Sequence, residues 1–235
     1  MENRLVYSPL SIFFMLLLAF LLFVVVGFLF LDVASTAFMR LGFSWGFALI
    51  LLLASLLGSG INIPIFRIHS STPLVRDSCI QVFGVAYCIP VIDNIYESTL
   101  VAINLGGAII PSLISLYLLY KFPQSIIFAV LAVLFVSLLM YKIARPVKGL
   151  GIVTPALLPP LIAAMVTLVI TAFFSSPNEY KFIIAYVGGT LGTLIGADLF
   201  NLSKVRDLGA PIASIGGAGT FDGIFLVGLL AVLLV

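Results

Sequence analysis

The sequence predicts an all-α integral membrane protein with seven transmembrane helices, some of them broken by Gly or Pro, and a small cytoplasmic β-hairpin-like loop. The composition, the spacing of seven apolar runs and the distribution of basic residues all support this fold class. Hydrophobic residues make up 63% of the 235 residues and charged residues only 9%, whereas soluble proteins carry about 25% charged residues. We expect one polytopic domain over residues 1–235, located in the plasma membrane.

Seven apolar runs are each long enough to be considered as membrane spans. The first, from Leu10 to Leu31, has about 22 residues, enough to cross a hydrocarbon core of about 30 Å. It lacks a strongly basic start and a small-residue cleavage site, so we interpret it as a retained helix and not as a signal peptide. The predicted spans are 10–31, 42–61, 99–120, 124–141, 151–174, 182–202 and 212–235.

The basic residues are unequally divided between the two sides of this arrangement. One side carries Arg4, Arg67, Arg76, Lys142, Arg145, Lys148, Lys204 and Arg206, and the other carries only Arg40, Lys121 and Lys181. Because cytoplasmic loops are enriched in Lys and Arg, the first side is predicted to be cytoplasmic. This places the N-terminus inside and the C-terminus outside, as an odd number of spans requires.

The long polar connection over residues 62–98 is then cytoplasmic. Its runs Ile65–Ile68 and Ile80–Val91 predict a short β-hairpin that lies against the membrane face. Cys79 and Cys88 lie in this segment and are interpreted as two unpaired thiols, with a disulfide or a metal pair as the alternatives. The segment is expected to be a cap or a docking surface for a partner.

Several classes of function are not indicated by the sequence. A net charge of +2 gives no argument for a nucleic-acid partner, and the single histidine, His69, cannot assemble a His-based metal site. The motifs of P-loop ATPases, zinc proteases and serine esterases are missing. We therefore predict no cofactor and no metal, and the lipid bilayer as the first partner.

Two aspartates, Asp198 and Asp222, are the charged residues that fall inside the predicted spans. A carboxylate at membrane depth costs about 2.5–3.5 kcal/mol on insertion scales, so an acid kept there without a basic neighbour indicates a functional site. Counting from the span ends at about 1.5 Å per residue puts both roughly 10 Å below the cytoplasmic edge. The two acids belong to consecutive antiparallel spans, so a face-to-face pair is expected.

Glycines surround both acids, in two different patterns. Gly188, Gly192 and Gly196 follow four-residue spacing, which predicts a helix-packing stripe, and Asp198 should point about 120° away from it. Around Asp222 the glycines are at 216, 217, 219 and 223, and they predict a helix break near 216–219. Irregular backbone at membrane depth is tolerated where it is buried in protein or lines a water-filled cavity.

Two further features are predicted on the cytoplasmic side. The segment Thr154–Pro160 contains three prolines, which remove backbone donors and leave carbonyls free. Asn104 precedes Gly106 and Gly107 near the start of the third span and offers a buried amide. The candidate substrate-binding residues are Asn104, Pro155, Ala156, Leu157, Gly217 and Gly219, and residues 151–235 form the candidate active-site helices.

The runs INLGGAIIPSLISLYLL, GTLGTLIGADLFNL and IGGAGTFDGIFL resemble an uncharacterised family of prokaryotic multi-pass membrane proteins, a domain of unknown function. The resemblance covers nearly the whole chain and implies no activity.

A second resemblance is to the presenilin-like GxGD intramembrane aspartyl proteases. It rests on Asp198 in an inward-running span, on Asp222 after Gly217-Ala218-Gly219, and on Pro155-Ala156-Leu157 at a cytoplasmic helix start. It departs from that family's pattern in three ways: Thr220 and Phe221 separate the Gly-x-Gly from Asp222, the Pro-Ala-Leu precedes the acids, and Ala197 stands where a Tyr is usual. The resemblance implies that Asp198 and Asp222 are catalytic.

Three functions remain open from the sequence. The first is hydrolysis of a transmembrane peptide by the Asp198 and Asp222 pair, in which one carboxyl keeps a proton while its partner activates water. The second is a Na⁺- or H⁺-coupled transporter or channel in which the same acids and Asn104 bind a small cation. The third is a membrane assembly subunit without chemistry.

Overall fold

The computed structural model describes residues 9–69, 74–82, 85–93, 98–147, 151–174, 180–205, 212–217 and 223–235. The chain is mostly helical. Its helices are α1 Pro9–Arg40, α2 Trp45–Gly58, α3 Ile110–Lys121, α4 Ile126–Ile143, α5 Leu158–Phe173, α6 Lys181–Thr193, α7 Leu202–Val205 and α8 Gly223–Leu234. Two π-helical turns, Leu105–Ile109 and Leu194–Leu199, precede α3 and follow α6, and a short 3₁₀ turn, Pro123–Ser125, precedes α4.

Seven short strands complete the described elements. They are β1 Asn62–His69, β2 Leu74–Val82, β3 Val85–Asp93, β4 Ser98–Asn104, β5 Arg145–Val147, β6 Gly151–Val153 and β7 Ile212–Ile215. Antiparallel pairing joins β1 to β4, β2 to β3 and β5 to β6, and β7 adds to β4 in parallel. The largest sheet therefore has the order β1-β4-β7, with β7 at its edge.

Within the described part of the chain, three helical segments are long and apolar enough to cross a membrane, Ile12–Arg40, Pro123–Ile143 and Lys181–Leu199. Four shorter apolar helical segments accompany them: Trp45–Gly58, Leu105–Lys121, Leu158–Phe173 and Gly223–Leu234. These apolar helices indicate a membrane-embedded protein. A helix of 12 residues is about 18 Å long, shorter than the hydrocarbon core.

The predicted spans 99–120, 151–174 and 212–235 are wrong as continuous helices, because each begins with a strand. In β4 the buried and partly buried residues alternate irregularly, and the whole strand Ser98–Asn104 is covered. A strand covered on both faces is a continuous apolar run, which hydropathy cannot distinguish from a buried helix.

The predicted hairpin is correct in its first strand but wrong in its second strand and in its pairing. Residues Ile65–Ile68 lie in β1, which pairs with β4 instead of with the 80–91 run. That run is not one strand: it contains the end of β2 and most of β3, which pair with each other, with Val82 opposite Val85. The β2–β3 hairpin is thus inserted between the two strands of a longer antiparallel pair.

The first helix extends farther than predicted. The apolar run ends at Leu31, but α1 continues to Arg40 and includes Asp32. Asp32 therefore lies within a candidate span, as Asp198 does, and the prediction that Asp198 and Asp222 are the only charged residues within spans was wrong. The side chain of Asp32 is exposed.

The chain divides into two compact units, residues 1–52 and 53–235. In the second unit α6 is the central helix. In the segment Lys181–Leu199, 72% of the most apolar stretch is buried. Its glycine stripe packs on α4: a Cβ on Gly188 would lie 2.8 Å from the Ala132 Cβ, and one on Gly192 would lie 2.7 Å from the Val136 Cβ. The predicted packing role of the stripe is confirmed.

The opposite side of α6 contacts α5 and α8. A Cβ on Gly189 would lie 3.2 Å from the Ala163 Cβ and 3.4 Å from the Ala231 Cβ. Three helices thus enclose α6, and small residues on every side permit the close approach. This packing fixes the C-terminal end of α6, where Asp198 lies.

Candidate functional site

A cavity of about 820 Å³ lies in the second unit, where the ends of several elements converge. Its walls come from the end of β4, the start of α5, the π-helical turn after α6, strand β7 and the start of α8. Its polar lining among the described residues includes Ser59, Asn62, Asn104, Thr154, Thr193, Asp198 and Ser214. A volume of this size is within the range of small-molecule and cofactor pockets, about 300–1,000 Å³.

Asp198 is placed by the π-helical turn Leu194–Leu199. The turn ends with the Phe200 N–H donating to the Ile195 carbonyl at 2.9 Å, five residues back. The Gly216 N–H donates to the Asp198 Oδ2 at 2.7 Å. This is the hydrogen bond that the carboxyl group makes with the described residues, so one of its two oxygens is held in place. Single π-helical turns of this kind are frequent at functional sites.

Asn201 stabilises the end of the same turn. Its side-chain amide donates to the carbonyls of Gly196 at 3.2 Å and Ala197 at 3.0 Å. Lys204 Nζ in turn donates to the Asn201 Oδ1 at 2.7 Å. Carbonyls at a helix end need such partners when they are buried, and Asn201 is fully buried. These hydrogen bonds therefore hold the backbone that carries Asp198 in place.

Gly216 lies between the two π-helical turns. Its φ of +80° lies in the left-handed region. Glycine adopts this conformation without steric strain because it has no Cβ. A Cβ there would lie 2.7 Å from the Ala108 Cβ, in the turn Leu105–Ile109. The same residue donates its N–H to Asp198, in the turn Leu194–Leu199. The predicted helix break near 216–219 is instead a turn at Gly216 that follows the strand β7, and residues 218 and 219 lie outside the described residues.

Asn104 connects three segments with one side chain. Its Nδ2 donates to the Ser59 carbonyl at 2.7 Å and to the Asn62 Oδ1 at 3.0 Å, and its Oδ1 accepts from the Gly107 N–H at 2.9 Å. The side chain is 2% exposed. The nitrogen and the oxygen of the side-chain amide therefore both have hydrogen bonds within the protein. Asn104 caps the π-helical turn Leu105–Ile109 and joins β4 to β1 and to the end of α2.

Four polar residues at the cavity were not identified from the sequence: Ser59, Asn62, Thr193 and Ser214. Ser214 Oγ donates to the Asn62 Oδ1 at 2.5 Å, which links β7 to β1. Thr193 is 4% exposed, and its Oγ1 has no hydrogen-bond partner among the described residues. No sequence signal separates these side chains from the many other Ser, Thr and Asn residues near helix ends.

The structure brings most of the predicted site residues to this cavity. Asn104, Ala156, Leu157, Asp198 and Gly217 line it, whereas Pro155 is not in its lining. Gly219 and Asp222 lie outside the described residues, and Gly223, the next residue after Asp222, lines the cavity. The predicted orientation of Asp198 away from the glycine stripe is confirmed, because it faces Gly216 while the stripe faces α4.

Across the part of the chain that the structure describes, no three His, Cys, Asp or Glu side chains form a group able to hold a metal ion. The described cavity is lined by one acid together with neutral amides and hydroxyls.

Comparison with known protein families gives one match. The family described as Protein of unknown function (DUF1614) matches residues 56–234. The chain belongs to this family. The match nearly coincides with the second compact unit, residues 53–235, which contains the whole described cavity.

No curated protein and no solved structure matches the chain. The resemblance to an uncharacterised membrane family is therefore confirmed, while the resemblance to presenilin-like proteases gains no support from the comparisons.

Proposed function

We propose that this protein hydrolyses peptide bonds of membrane-embedded substrates, with Asp198 and Asp222 as the two carboxyl groups of an aspartyl mechanism. The supporting observation is that Asp198 lines a large cavity whose wall includes an edge strand, β7. An acid beside a strand that pairs on only one side among the described residues combines a group that can activate water with a surface that can hold an extended peptide.

The chemistry requires two carboxyls in different protonation states. One carboxylate removes a proton from water, which attacks the scissile carbonyl, while the protonated partner donates its proton to the carbonyl oxygen. The first acid then passes the proton that it took from water to the leaving nitrogen, and the partner regains a proton from a hydroxyl of the tetrahedral intermediate as the C–N bond breaks. The Gly216 N–H holds one oxygen of Asp198; the other accepts no hydrogen bond from a described residue, and we assign it to the water. A coupled pair titrates as a unit, so the shared proton belongs to both acids.

The substrate is proposed to bind as an added strand. In the sheet β1-β4-β7 the described part of β7 pairs on one side with β4. All four of its residues, Ile212–Ile215, line the cavity, and Ile152 and Val153 of β6 line it as well. An extended apolar segment could take backbone hydrogen bonds from β7 and rest its side chains on these residues. Ala156 and Leu157 would then contact the substrate near the acids.

We also propose the topology that the charge distribution predicts. The seven apolar helical segments would cross the plasma membrane, with the N-terminus in the cytoplasm and the C-terminus outside. The short segments Leu105–Lys121, Leu158–Phe173 and Gly223–Leu234 are each preceded by a strand. These strands would extend the shorter crossings, since non-helical backbone is tolerated at membrane depth where protein covers it.

A cation carrier is less well supported by the same site. The predicted ligand Asn104 already accepts a hydrogen bond at Oδ1, and the Asn62 Oδ1 accepts from both Asn104 and Ser214. Neutral oxygens engaged in this way are poor ligands for Na⁺, because binding the ion would break existing hydrogen bonds. No observation on the described residues favours an assembly subunit over an enzyme.

The test is cleavage of single-span reporter proteins by the purified chain in liposomes. Asp198→Asn and Asp222→Asn should each reduce turnover by at least about 100-fold, the usual contribution of a general acid or base. Asp32→Asn is the matched control, because it makes the same change at an exposed acid of α1, and it should leave turnover unchanged. Thermal unfolding of each variant shows that the fold is retained.

Two results would overturn the proposal. One is cleavage that persists at the wild-type rate in folded Asp198→Asn protein. The other is Na⁺ or H⁺ flux through the wild-type protein that Asp198→Asn abolishes while no reporter is cleaved, which would favour the carrier.

A further inference from the structure

The β2–β3 hairpin places the two cysteines of the chain opposite each other. Its register pairs Cys79 with Cys88, three pairs away from the closing pair Val82 and Val85. The sequence contains two cysteines in total, so the entire thiol content of the protein lies at one position of one ladder. The two cysteines lie opposite each other because of the register of the two strands, and not merely because they are close in the sequence.

Opposite positions of an antiparallel ladder have the backbone spacing that a disulfide needs. Directly paired residues have Cα atoms about 4.5 or 5.5 Å apart, depending on whether they exchange hydrogen bonds. Disulfides join Cα atoms about 4.4–6.8 Å apart. Either class of pair therefore falls within the Cα range of a disulfide.

We propose that Cys79 and Cys88 are a reversible oxidation site, which a small-molecule disulfide such as oxidised glutathione converts into an intrachain disulfide. One thiolate attacks the oxidant, forms a mixed disulfide and releases one thiol. The second thiolate then attacks the mixed disulfide and releases the other thiol. Two protein thiols lose two electrons and two protons, and the oxidant is reduced to two thiols.

The proposal does not depend on the proposed peptide hydrolysis. The proposed topology is used only to predict that the two cysteines are normally reduced. The hairpin lies on the cytoplasmic side in that topology, where thiols are kept reduced. The disulfide would therefore form under oxidative conditions and be removed by thiols afterwards. It would close the hairpin that connects β1 to β4, the two strands that carry Asn62 and Asn104 to the cavity.

The experiment uses the full chain in membrane vesicles. The protein is treated with oxidised glutathione, remaining thiols are blocked with a maleimide, and the digested protein is analysed by mass spectrometry. Cleavage after Phe83, which lies between the two cysteines, distinguishes a linked pair of peptides from two separate ones. We expect a Cys79–Cys88 link that dithiothreitol reverses, and two maleimide adducts without oxidant.

The matched control moves one thiol by a single position, in the double variant Cys79→Ser with Ile80→Cys. Successive strand residues face opposite sides of a sheet, so this variant should form the link with Cys88 at least about tenfold more slowly, since disulfide geometry is specific. The proposal is overturned if both wild-type cysteines stay open to maleimide, if the links join different chains, or if the control links as fast as the wild type. A link already present before any oxidant would overturn its reversible, cytoplasmic character.

Discussion

Asp198 and Thr193 show how the π-helical turn after α6 shapes the site at the level of single residues. The turn begins directly after Thr193 and contains Asp198. Asp198 has an anchored oxygen, whereas the buried Thr193 hydroxyl has no partner among the described residues. A buried hydroxyl without a partner costs free energy. We therefore expect this hydroxyl to serve a ligand in the cavity.

The hydroxyl of Thr193 can be removed with little change of shape. Thr193→Val should keep the free energy of unfolding within about 0.5 kcal/mol or raise it, because no hydrogen bond to the protein is lost. If the hydroxyl contacts substrate or water, cleavage should fall by about tenfold, which corresponds to about 1.4 kcal/mol. Reporter cleavage and thermal unfolding of the purified variant measure the two effects.

Thr167 provides the matched control for this prediction. It is also buried, but its Oγ1 donates to the Ala163 carbonyl at 2.8 Å within α5. Thr167→Val should lower stability by about 1 kcal/mol, the usual net value of one hydrogen bond, and leave cleavage unchanged. Equal destabilisation in both variants, with cleavage unaffected, would contradict a ligand-binding role for Thr193.

The contact between α4 and α6 is the main feature at the level of elements. Two glycines of α6 and Gly196 of the following π-helical turn face Ala132, Val136 and Ser137 of α4. In a membrane, helices gain little from burying apolar surface, so close backbone approach is the main source of their attraction. The position of Asp198 depends on this contact, because the π-helical turn follows the same helix.

A residue swap tests this contact. Gly188→Ala places a Cβ 2.8 Å from the Ala132 Cβ, and overpacking of this kind should cost about 1–3 kcal/mol. Ala132→Gly removes the opposing methyl group, so the double variant should be more stable than the sum of the single effects. Reversible unfolding in mixed detergent micelles measures the four states of the cycle.

Gly27→Ala is the control for the swap, because no atom lies within 4 Å of a Cβ at that position of α1. It should be neutral or slightly stabilising, since Ala favours helices more than Gly does. Strict additivity of Gly188→Ala and Ala132→Gly would show that the two residues do not contact.

The sequence predicted the helices better than the strands, for physical reasons. Four-residue glycine spacing has one simple geometric meaning on a helix, so the packing face of α6 was identified correctly. The strand β4 was assigned to a helix because its residues Leu100–Ile103 are all apolar, so no alternation of apolar and polar residues marks a strand. All four are apolar because all four are fully or partly buried. The pairing of β1 with β4 joins residues far apart in the chain, and local sequence carries no record of it.

The site was partly predictable for similar reasons. Asp198 was identified because a charge within an apolar run is conspicuous. Asn62, Thr193 and Ser214 gained their roles only from the convergence of β1, α6 and β7, which the sequence did not reveal. Asn104 was identified as a buried amide, but its three protein partners were not.

At the level of the whole molecule, the family match and the second compact unit describe nearly the same residues. The described cavity lies entirely within that unit, where the starts of α5 and α8 meet the end of α6. Loop and helix ends gathered around a cavity are a common location for catalysis, because each element contributes side chains from a rigid base. The central claim is that Asp222 joins Asp198 at this cavity.

The most direct measurement is a cross-link between the two positions. The chain would carry Cys79→Ser and Cys88→Ser, together with Asp198→Cys and Asp222→Cys, and would be treated in membranes with a short bifunctional thiol reagent. The control replaces Asp198→Cys by Leu199→Cys, at the exposed neighbouring residue. We predict that the pair at 198 and 222 links at least about tenfold faster than the control pair, since such links require close and specific geometry. Equal rates for the two pairs, or no link at all in the folded protein, would contradict the paired-acid site.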